Sequence, residues 1–222
     1  METKVFNLII LDESGSMECI KKQALDGLNE TLQSIRQSQE KHPELTQVVS
    51  IVPFEGHNVR LLRDKEAIGQ VKNLTPDEYN PGSLTPLYDA IGFGVSSIRL
   101  NVKETDSVLV TIITDGCENS SREYTSPMIA KMISELKSKG WMFTYIGANQ
   151  DSVEVAKTMN ITNAMNFVQD EKGVEDMFRK EHASRSRFME FQAAYCCLDA
   201  PTAMKNKCDL AKNSDFFSNL GE

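Results

Sequence analysis

Runs of apolar residues alternate with amphipathic segments along this chain, and that alternation restricts its fold more than any other feature. The runs at Val5–Leu11 and Ser107–Thr114 are predominantly apolar, as in strands that are buried on both faces of a parallel sheet. Residues 17–38 between them place apolar side chains at helical spacing. Strands that alternate with helices in this way favour an α/β fold.

The same reasoning locates the other elements. Glu55–His57 joins two strand-like runs by only three residues, which predicts an antiparallel hairpin at the edge of the sheet. The predicted strands are Val5–Leu11, Val48–Phe54, Asn58–Leu62, Ser107–Thr114, Trp141–Ile146 and Ala164–Val168, and the predicted helices begin near Met17, Thr85, Ser126, Val153 and Val174. We therefore predict a doubly wound, Rossmann-like, mostly parallel six-stranded sheet with helices on both faces.

The length of the chain limits its domain organisation. Its 222 residues suffice for one well-packed α/β domain and a modest appendage, but are few for two independent domains. We predict one domain over residues 1–190. Residues 191–222 show no clear period and are expected to form a tail that packs on the domain or is partly disordered.

Charge and composition disfavour several classes of partner. A net charge of -8 repels phosphate backbones, which argues against nucleic acid. The sequence contains no signal-peptide pattern and no apolar stretch of the ~20 residues that span a membrane. Its five cysteines lack a CxxC spacing, which is consistent with reduced thiols. We expect a cytoplasmic protein, with a monomer favoured over an oligomer.

The first strand ends in an unusual group of oxygen side chains. Asp12, Ser14 and Ser16 follow Leu11 at alternate positions. On an extended strand Asp12 and Ser16 would lie ~13 Å apart, so the chain must curl if both are to reach one ion, and Gly15 makes a curl sterically easy. Oxygen ligands suit magnesium, manganese or calcium. A strand-end turn with a serine capping the next helix is the alternative interpretation.

Two further segments bring oxygen atoms to the same end of the sheet. Ligands of doubly wound sheets bind beyond the carboxyl ends of the strands, where the strand order reverses. Asp115 ends the strand Ser107–Thr114, and Thr85 precedes the helix that begins near Pro86. Taken singly, Thr85 also suits a helix cap and Asp115–Gly116 a turn. Their expected position beside Asp12 favours a cation site.

Three motifs give the chain a resemblance to a known family. Asp12–Ser16 (Asp-Glu-Ser-Gly-Ser) matches the DxSxS signature of von Willebrand factor A (vWA) domains. Residues 82–90 and Ile112–Gly116 resemble the second and third motifs of that family, and the likeness covers residues 3–190. It implies strand order 3-2-1-4-5-6 with the antiparallel strand at the edge. It is closest to small stand-alone bacterial members.

The resemblance also implies a function. In the family, an intact metal-ion-dependent adhesion site (MIDAS) holds Mg²⁺, Mn²⁺ or Ca²⁺, and the ion docks an Asp or Glu of a partner protein. The implied ligands in this chain are Asp12, Ser14, Ser16, Thr85 and Asp115. An accessory subunit of an ATPase-linked or stress-response complex is the alternative.

A metal-dependent phosphatase or hydrolase fits the sequence less well. Haloacid-dehalogenase-like phosphatases need a second Asp two residues after the nucleophile, and that position is Ser14. The sequence has no GxxxxGK[ST] loop and no GxSxG elbow. We therefore expect a binding protein and not an enzyme.

Several neighbouring side chains have expected positions. Glu13 lies off the alternating pattern of the first motif and should point away from the ion. Glu118 is expected to face solvent, and Tyr79, Asn80 and Tyr88 are candidate contacts for a partner.

Overall fold

The structure is a computed structural model that describes residues 3–148, 152–213 and 216–217. Its strands are β1 (Thr3–Asp12), β2 (Leu45–Glu55), β3 (Asn58–Val59), β4 (Arg63–Ala67), β5 (Ser107–Thr114), β6 (Met142–Gly147) and β7 (Asn163–Asn166). Its α-helices are α1 (Lys21–Lys41), α2 (Leu87–Arg99), α3 (Ser126–Lys137), α4 (Ser152–Thr158), α5 (Glu171–Tyr195) and α6 (Ala200–Lys212). Short 3-10 helices cover Gly15–Ile20 and Ile68–Gln70.

Within these residues the strands form one sheet in the order β3-β2-β1-β5-β6-β7, and β4 also pairs with β2. The pairs of β1 with β2 and β5, of β5 with β6, and of β6 with β7 are parallel. Only β3 and β4 run antiparallel, each against β2. The predicted α/β class, Rossmann-like topology and strand order are therefore confirmed.

The sheet of the described residues has seven strands in place of the predicted six, and the difference lies at its edge. In place of one strand over Asn58–Leu62, the edge position is divided between β3, beside Phe54–Glu55, and β4, beside Val48–Ile51. The sequence of β4, Arg-Asp-Lys-Glu-Ala, has no apolar alternation, because this edge strand has no fully buried side chain. That composition concealed β4 between the predicted strand Asn58–Leu62 and the helix predicted to begin near Thr85.

The two faces of the sheet are covered by different helices. Along β1, Leu8 and Ile10 join the core under α2, α3 and α4, whereas Ile9 and Leu11 join the core under α1 and α5. This alternation follows from the two-residue period of a strand. Burial on both faces explains why the sequences of β1 and β5 are predominantly apolar.

One polar residue interrupts the apolar run of β1 for a structural reason. Asn7 accepts a hydrogen bond of 2.7 Å from Arg185 of α5, and Thr111 of β5 accepts another of 2.9 Å. Arg185 and Glu181 are each 1% exposed and form an ion pair. A buried ion pair needs such added hydrogen bonds to offset its desolvation. The network fastens α5 across the middle of the sheet.

The C-terminal region contains a helix that the sequence pattern did not predict. α5 continues to Tyr195, past the boundary predicted at residue 190, and α6 follows. Lys207 of α6 donates hydrogen bonds to the carbonyls of Thr105 and Asp106, the two residues directly before β5. α6 thus packs at the amino ends of the strands. Residues 214–215 and 218–222 of the predicted tail lie outside the described residues.

No helix in the described part of the chain has both the length and the apolar composition needed to cross a membrane. All five cysteines lie in that part and are free thiols; those of Cys19, Cys117, Cys196 and Cys197 are exposed.

Candidate functional site

The predicted site residues meet at the carboxyl edge of the sheet. β1 lies between β2 and β5, and its register pairs Leu11 with Pro53 on one side and with Ile113 on the other. Asp12 therefore ends the central strand beside Thr114, the last residue of β5. This is the position at which the strand order reverses, where doubly wound sheets bind ligands.

The chain curls immediately after Asp12, as the spacing requires. The Ser14 amide donates a 2.6 Å hydrogen bond to Asp12 Oδ1, and the Gly15–Ile20 helix begins directly afterwards. Gly15 has no positive φ, and an added Cβ would meet nothing closer than 3.6 Å. The curl thus depends on the hydrogen bond that the Asp12 carboxylate accepts. The expectation that the curl needs the missing side chain of Gly15 is wrong.

Four of the five predicted ligands are joined by short contacts. The Ser14 and Ser16 hydroxyl oxygens lie 3.1 Å apart, and Ser16 Oγ donates a 2.6 Å hydrogen bond to Asp115 Oδ1. Asp12 Oδ2 accepts a hydrogen bond from Thr114 Oγ1. A hydroxyl that donates its proton to a carboxylate keeps its oxygen lone pairs, so Ser16 retains the atoms that a cation needs.

The fifth predicted ligand, Thr85, lies against Gly116. A Cβ added to Gly116 would be 2.9 Å from Thr85 Oγ1 and 3.6 Å from Asp12 Oδ2, so both oxygens face one small space. Asn119 holds the Thr85 backbone: its side chain accepts from the Thr85 amide at 2.8 Å, and its amide donates to the Thr85 carbonyl at 3.1 Å. Thr85 is 3% exposed, which fixes its hydroxyl in place.

Backbone hydrogen bonds fasten the segment before Thr85 to the β1 and β2 loops. The Gly82 amide donates to the Glu13 carbonyl at 2.7 Å, the Gly15 amide to the Ser83 carbonyl at 3.2 Å, and the Gly56 amide to the Leu84 carbonyl at 2.8 Å. These bonds explain why a segment without regular secondary structure holds a defined position beside Asp12.

Glu13 points away from the site, as its place in the motif predicted. Its carboxylate is paired with both terminal nitrogens of Arg60 and accepts the Asn80 amide at 2.9 Å. The Glu13 side chain is 1% exposed, so the pair is retained inside the loop cluster. Its charge is used to hold the 78–82 segment and is not offered to an ion.

Two expectations for neighbouring residues are wrong. Glu118 does not extend into solvent: its carboxylate accepts hydrogen bonds from the amides of Tyr88, Ser120 and Ser121. It thereby caps the first turn of α2 and closes the loop after β5. Tyr79 is 0% exposed, and its hydroxyl donates to the Asp12 carbonyl at 2.9 Å. It supports the end of β1 and has no surface for a partner.

One residue at the site was missed by the sequence analysis. Gln169, in the connection between β7 and α5, donates from Nε2 to Asp115 Oδ2 and to the Ser16 carbonyl, the latter at 3.0 Å. Its contacts lie 54 and 153 residues away along the chain. No local period or motif marks such a residue.

Burial makes the site costly for negative charge. Burial raises the pKa of Asp12 to about 6, against hydrogen bonds from Thr114 and Ser14 that lower it, and the neighbouring charge of Asp115 raises it further. Burial also raises the pKa of Asp115 above its usual range. A carboxyl whose pKa is raised by folding stabilises the folded state only while it is protonated. The contribution of Asp12 to the free energy of unfolding is therefore lost as pH rises through about 6. At neutral pH the ionised pair therefore favours a compensating cation.

The donor set is compatible with a hard divalent cation. Two carboxylates and three hydroxyls converge, and all are oxygen ligands of the kind that Mg²⁺, Mn²⁺ and Ca²⁺ prefer. No group of three or more His, Cys, Asp or Glu side chains with a metal-binding arrangement occurs in the described ranges. The candidate site has two such side chains, Asp12 and Asp115, and its other three members are hydroxyl residues.

Comparisons with known proteins identify the fold. The sequence matches no protein-family model, and no curated protein is significantly similar to it. Solved structures share the architecture. The SpRpn10 VWA domain has a TM-score of 0.51 at 9% identity, covering 82% of this chain and 95% of that domain. Manganese-loaded Plasmodium vivax TRAP has a TM-score of 0.51 at 16% identity, covering 80% and 73%.

A pilin shares the architecture as well. The PilB minor pilin from Streptococcus sanguinis has a TM-score of 0.57 at 13% identity over 85% of this chain. This chain spans only 63% of the length of that pilin. At identities this low the likeness shows the fold alone. The chain thus has a vWA-like, Rossmann-like α/β fold.

The crowding between Gly116 and Thr85 leads to a prediction for ion binding. Gly116→Ala should turn the Thr85 hydroxyl away from Asp12, because the new Cβ would lie 2.9 Å from Thr85 Oγ1. Displacing a group that orients ligands typically weakens metal affinity by about 10- to 100-fold. We expect a loss of Mg²⁺ affinity in this range, measured by calorimetric titration.

Gly82→Ala is the matched control, since a Cβ at Gly82 meets nothing within 4 Å. It should bind Mg²⁺ as the unchanged protein does. Equal losses in both variants would show that Thr85 is not placed by Gly116.

Proposed function

We propose that this protein is a divalent-cation-dependent protein-binding module whose ion docks an acidic side chain of a partner. The convergence of Asp12, Ser14, Ser16, Thr85 and Asp115 at one edge of the sheet carries this proposal. The vWA-like fold supports a protein-interaction role. One structural neighbour, the TRAP protein, is manganese-loaded, which is consistent with a divalent ion bound by a protein of this fold.

The chain's own groups prepare the site for an ion. Hydrogen bonds from the Ser14 amide and Thr114 hydroxyl orient the two oxygens of Asp12, while Ser16 orients Asp115. These bonds fix the carboxylates within the structure and leave hydroxyl lone pairs available. When bound, the cation neutralises the buried carboxylates and offers a coordination position to an incoming carboxylate.

The position of Asp12 supports binding over catalysis. Its side chain is 0% exposed, and both of its oxygens already accept hydrogen bonds. A nucleophilic carboxylate must reach a substrate atom within about 3–3.5 Å, which this burial opposes. The arrangement is better suited to holding an ion than to attacking a phosphoryl group.

The surroundings of the site are suitable for a protein surface. Leu84, next to Thr85, is 46% exposed, and Val168, next to Gln169, is 66% exposed. Ser16 is exposed as well, so the ligand set reaches the surface. An acidic residue flanked by apolar side chains is therefore the partner chemistry that this surface favours.

Removing the charge of Asp12 should raise the stability of the folded protein without an ion and lower it when an ion is bound. Asp12→Asn keeps the size of the side chain and a carbonyl acceptor for the Ser14 amide. In EDTA at pH 7 we expect the variant to be more stable than the unchanged protein by on the order of 1–3 kcal/mol, because the raised pKa of Asp12 reflects an unfavourable buried charge. In saturating Mg²⁺ the unchanged protein should be the more stable.

Urea unfolding in both conditions measures this crossover. A variant that is less stable in EDTA, or that Mg²⁺ stabilises as much as the unchanged protein, would contradict a cation site at Asp12.

Partner capture tests the function itself. Immobilised protein should retain its partner from a cell lysate in Mg²⁺ and release it in EDTA, because the docking contact passes through the ion. Asp12→Asn, used as bait in Mg²⁺, is the control and should retain none. A partner retained equally in Mg²⁺, in EDTA and by the variant would rule out docking through the ion.

A further inference from the structure

Gln169 reaches the cation site from a distant segment of the chain. Its side-chain amide donates to Asp115 Oδ2 and, at 3.0 Å, to the Ser16 carbonyl. Ser16 lies in the segment after β1 and Asp115 directly follows β5, so one amide joins these two segments. Gln169 is exposed, and burial of its own side chain therefore does not explain its position.

The connection that carries Gln169 is held firmly on both sides. Before it, Phe167 is 7% exposed, and its amide donates to the Gly147 carbonyl at 2.9 Å. After it, Asp170 caps α5 by accepting the Gly173 amide at 2.7 Å. A Cβ on Gly173 would lie 2.1 Å from the Val168 carbonyl oxygen, so helix and connection are in close contact. This packing directs Gln169 towards Asp115.

The contact restrains both oxygens of one carboxylate. Asp115 Oδ1 accepts from Ser16 Oγ at 2.6 Å, and Oδ2 accepts from Gln169. Oδ1 therefore lies beside Ser16, another candidate ligand, whereas Oδ2 is directed towards the side-chain amide of Gln169. The carboxylate is thus held in an orientation that favours a single-oxygen contact.

Divalent ions differ in their tolerance of that restraint. Ca²⁺ takes six to eight oxygens and often uses carboxylates through both oxygens, whereas Mg²⁺ takes six, keeps several waters and uses one oxygen per carboxylate. A restrained Asp115 therefore disfavours Ca²⁺ more than Mg²⁺.

We propose that Gln169 is a positioning residue that sets the ion specificity of the site against calcium by restraining Asp115. This inference rests on the proposed cation site and deepens it. A purely structural role for Gln169 would change stability or weaken both ions equally. The ratio of the two affinities therefore distinguishes specificity from structural support.

Calorimetric titration of the full chain with Mg²⁺ and with Ca²⁺ measures that ratio. Gln169→Met keeps the length of the side chain and removes its donors. A hydrogen bond to a charged group is worth about a tenfold factor in an equilibrium. We expect the preference for Mg²⁺ over Ca²⁺ to fall by about tenfold. Gln169→Glu replaces the donor with a further carboxylate and should shift the ratio in the same direction.

Gln37→Met is the matched control, because it makes the same substitution at an exposed glutamine of α1, away from the site. It should keep the ratio of the unchanged protein. An unchanged ratio in Gln169→Met and Gln169→Glu would overturn the role of Gln169 and leave the cation site standing. Failure of the unchanged protein to bind either ion would overturn the proposed function, and the role of Gln169 with it.

Discussion

The structure around the site depends on a fully buried carboxylate at the end of its central strand. Asp12 lies between β2 and β5 with no exposed surface, where an ionised group is unfavourable unless hydrogen bonds or a cation compensate it. The Ser14 amide and the Thr114 hydroxyl compensate it in part. The curl after β1 follows from the first of these bonds, so the same interaction that stabilises the charge also shapes the loop.

The features of the fold and the site that could be predicted from the sequence are those that a local residue pattern encodes. The apolar runs of β1 and β5 are buried on both faces, and their polar ends lie side by side because the strands are parallel and adjacent. That geometry brings Asp12 and Asp115 together without any knowledge of side-chain contacts. The predicted ligands also share one region, because Thr85 faces the same space as Asp12 beside Gly116.

Other features depend on contacts between segments far apart in sequence. Gln169 reaches Asp115 through packing of Phe167 and Gly173, and no residue spacing encodes that approach. β4 is an edge strand of charged residues, so its sequence lacks the alternation by which strands are recognised. The carboxylate of Glu118 accepts hydrogen bonds from backbone amides of its own loop. In the sequence alone, such a residue looks the same as a solvent-exposed glutamate.

A vWA-like fold does not define a function by itself, because one fold supports many sites. The central claim therefore rests on the oxygen cluster, and amide NMR spectra with substoichiometric Mn²⁺ test it most directly. We predict paramagnetic broadening centred on the amides of Ser14, Thr85 and Asp115. Broadening centred instead on the acidic groove between α1 and α5, which is lined by Asp26, Glu30 and Glu175, would contradict the account.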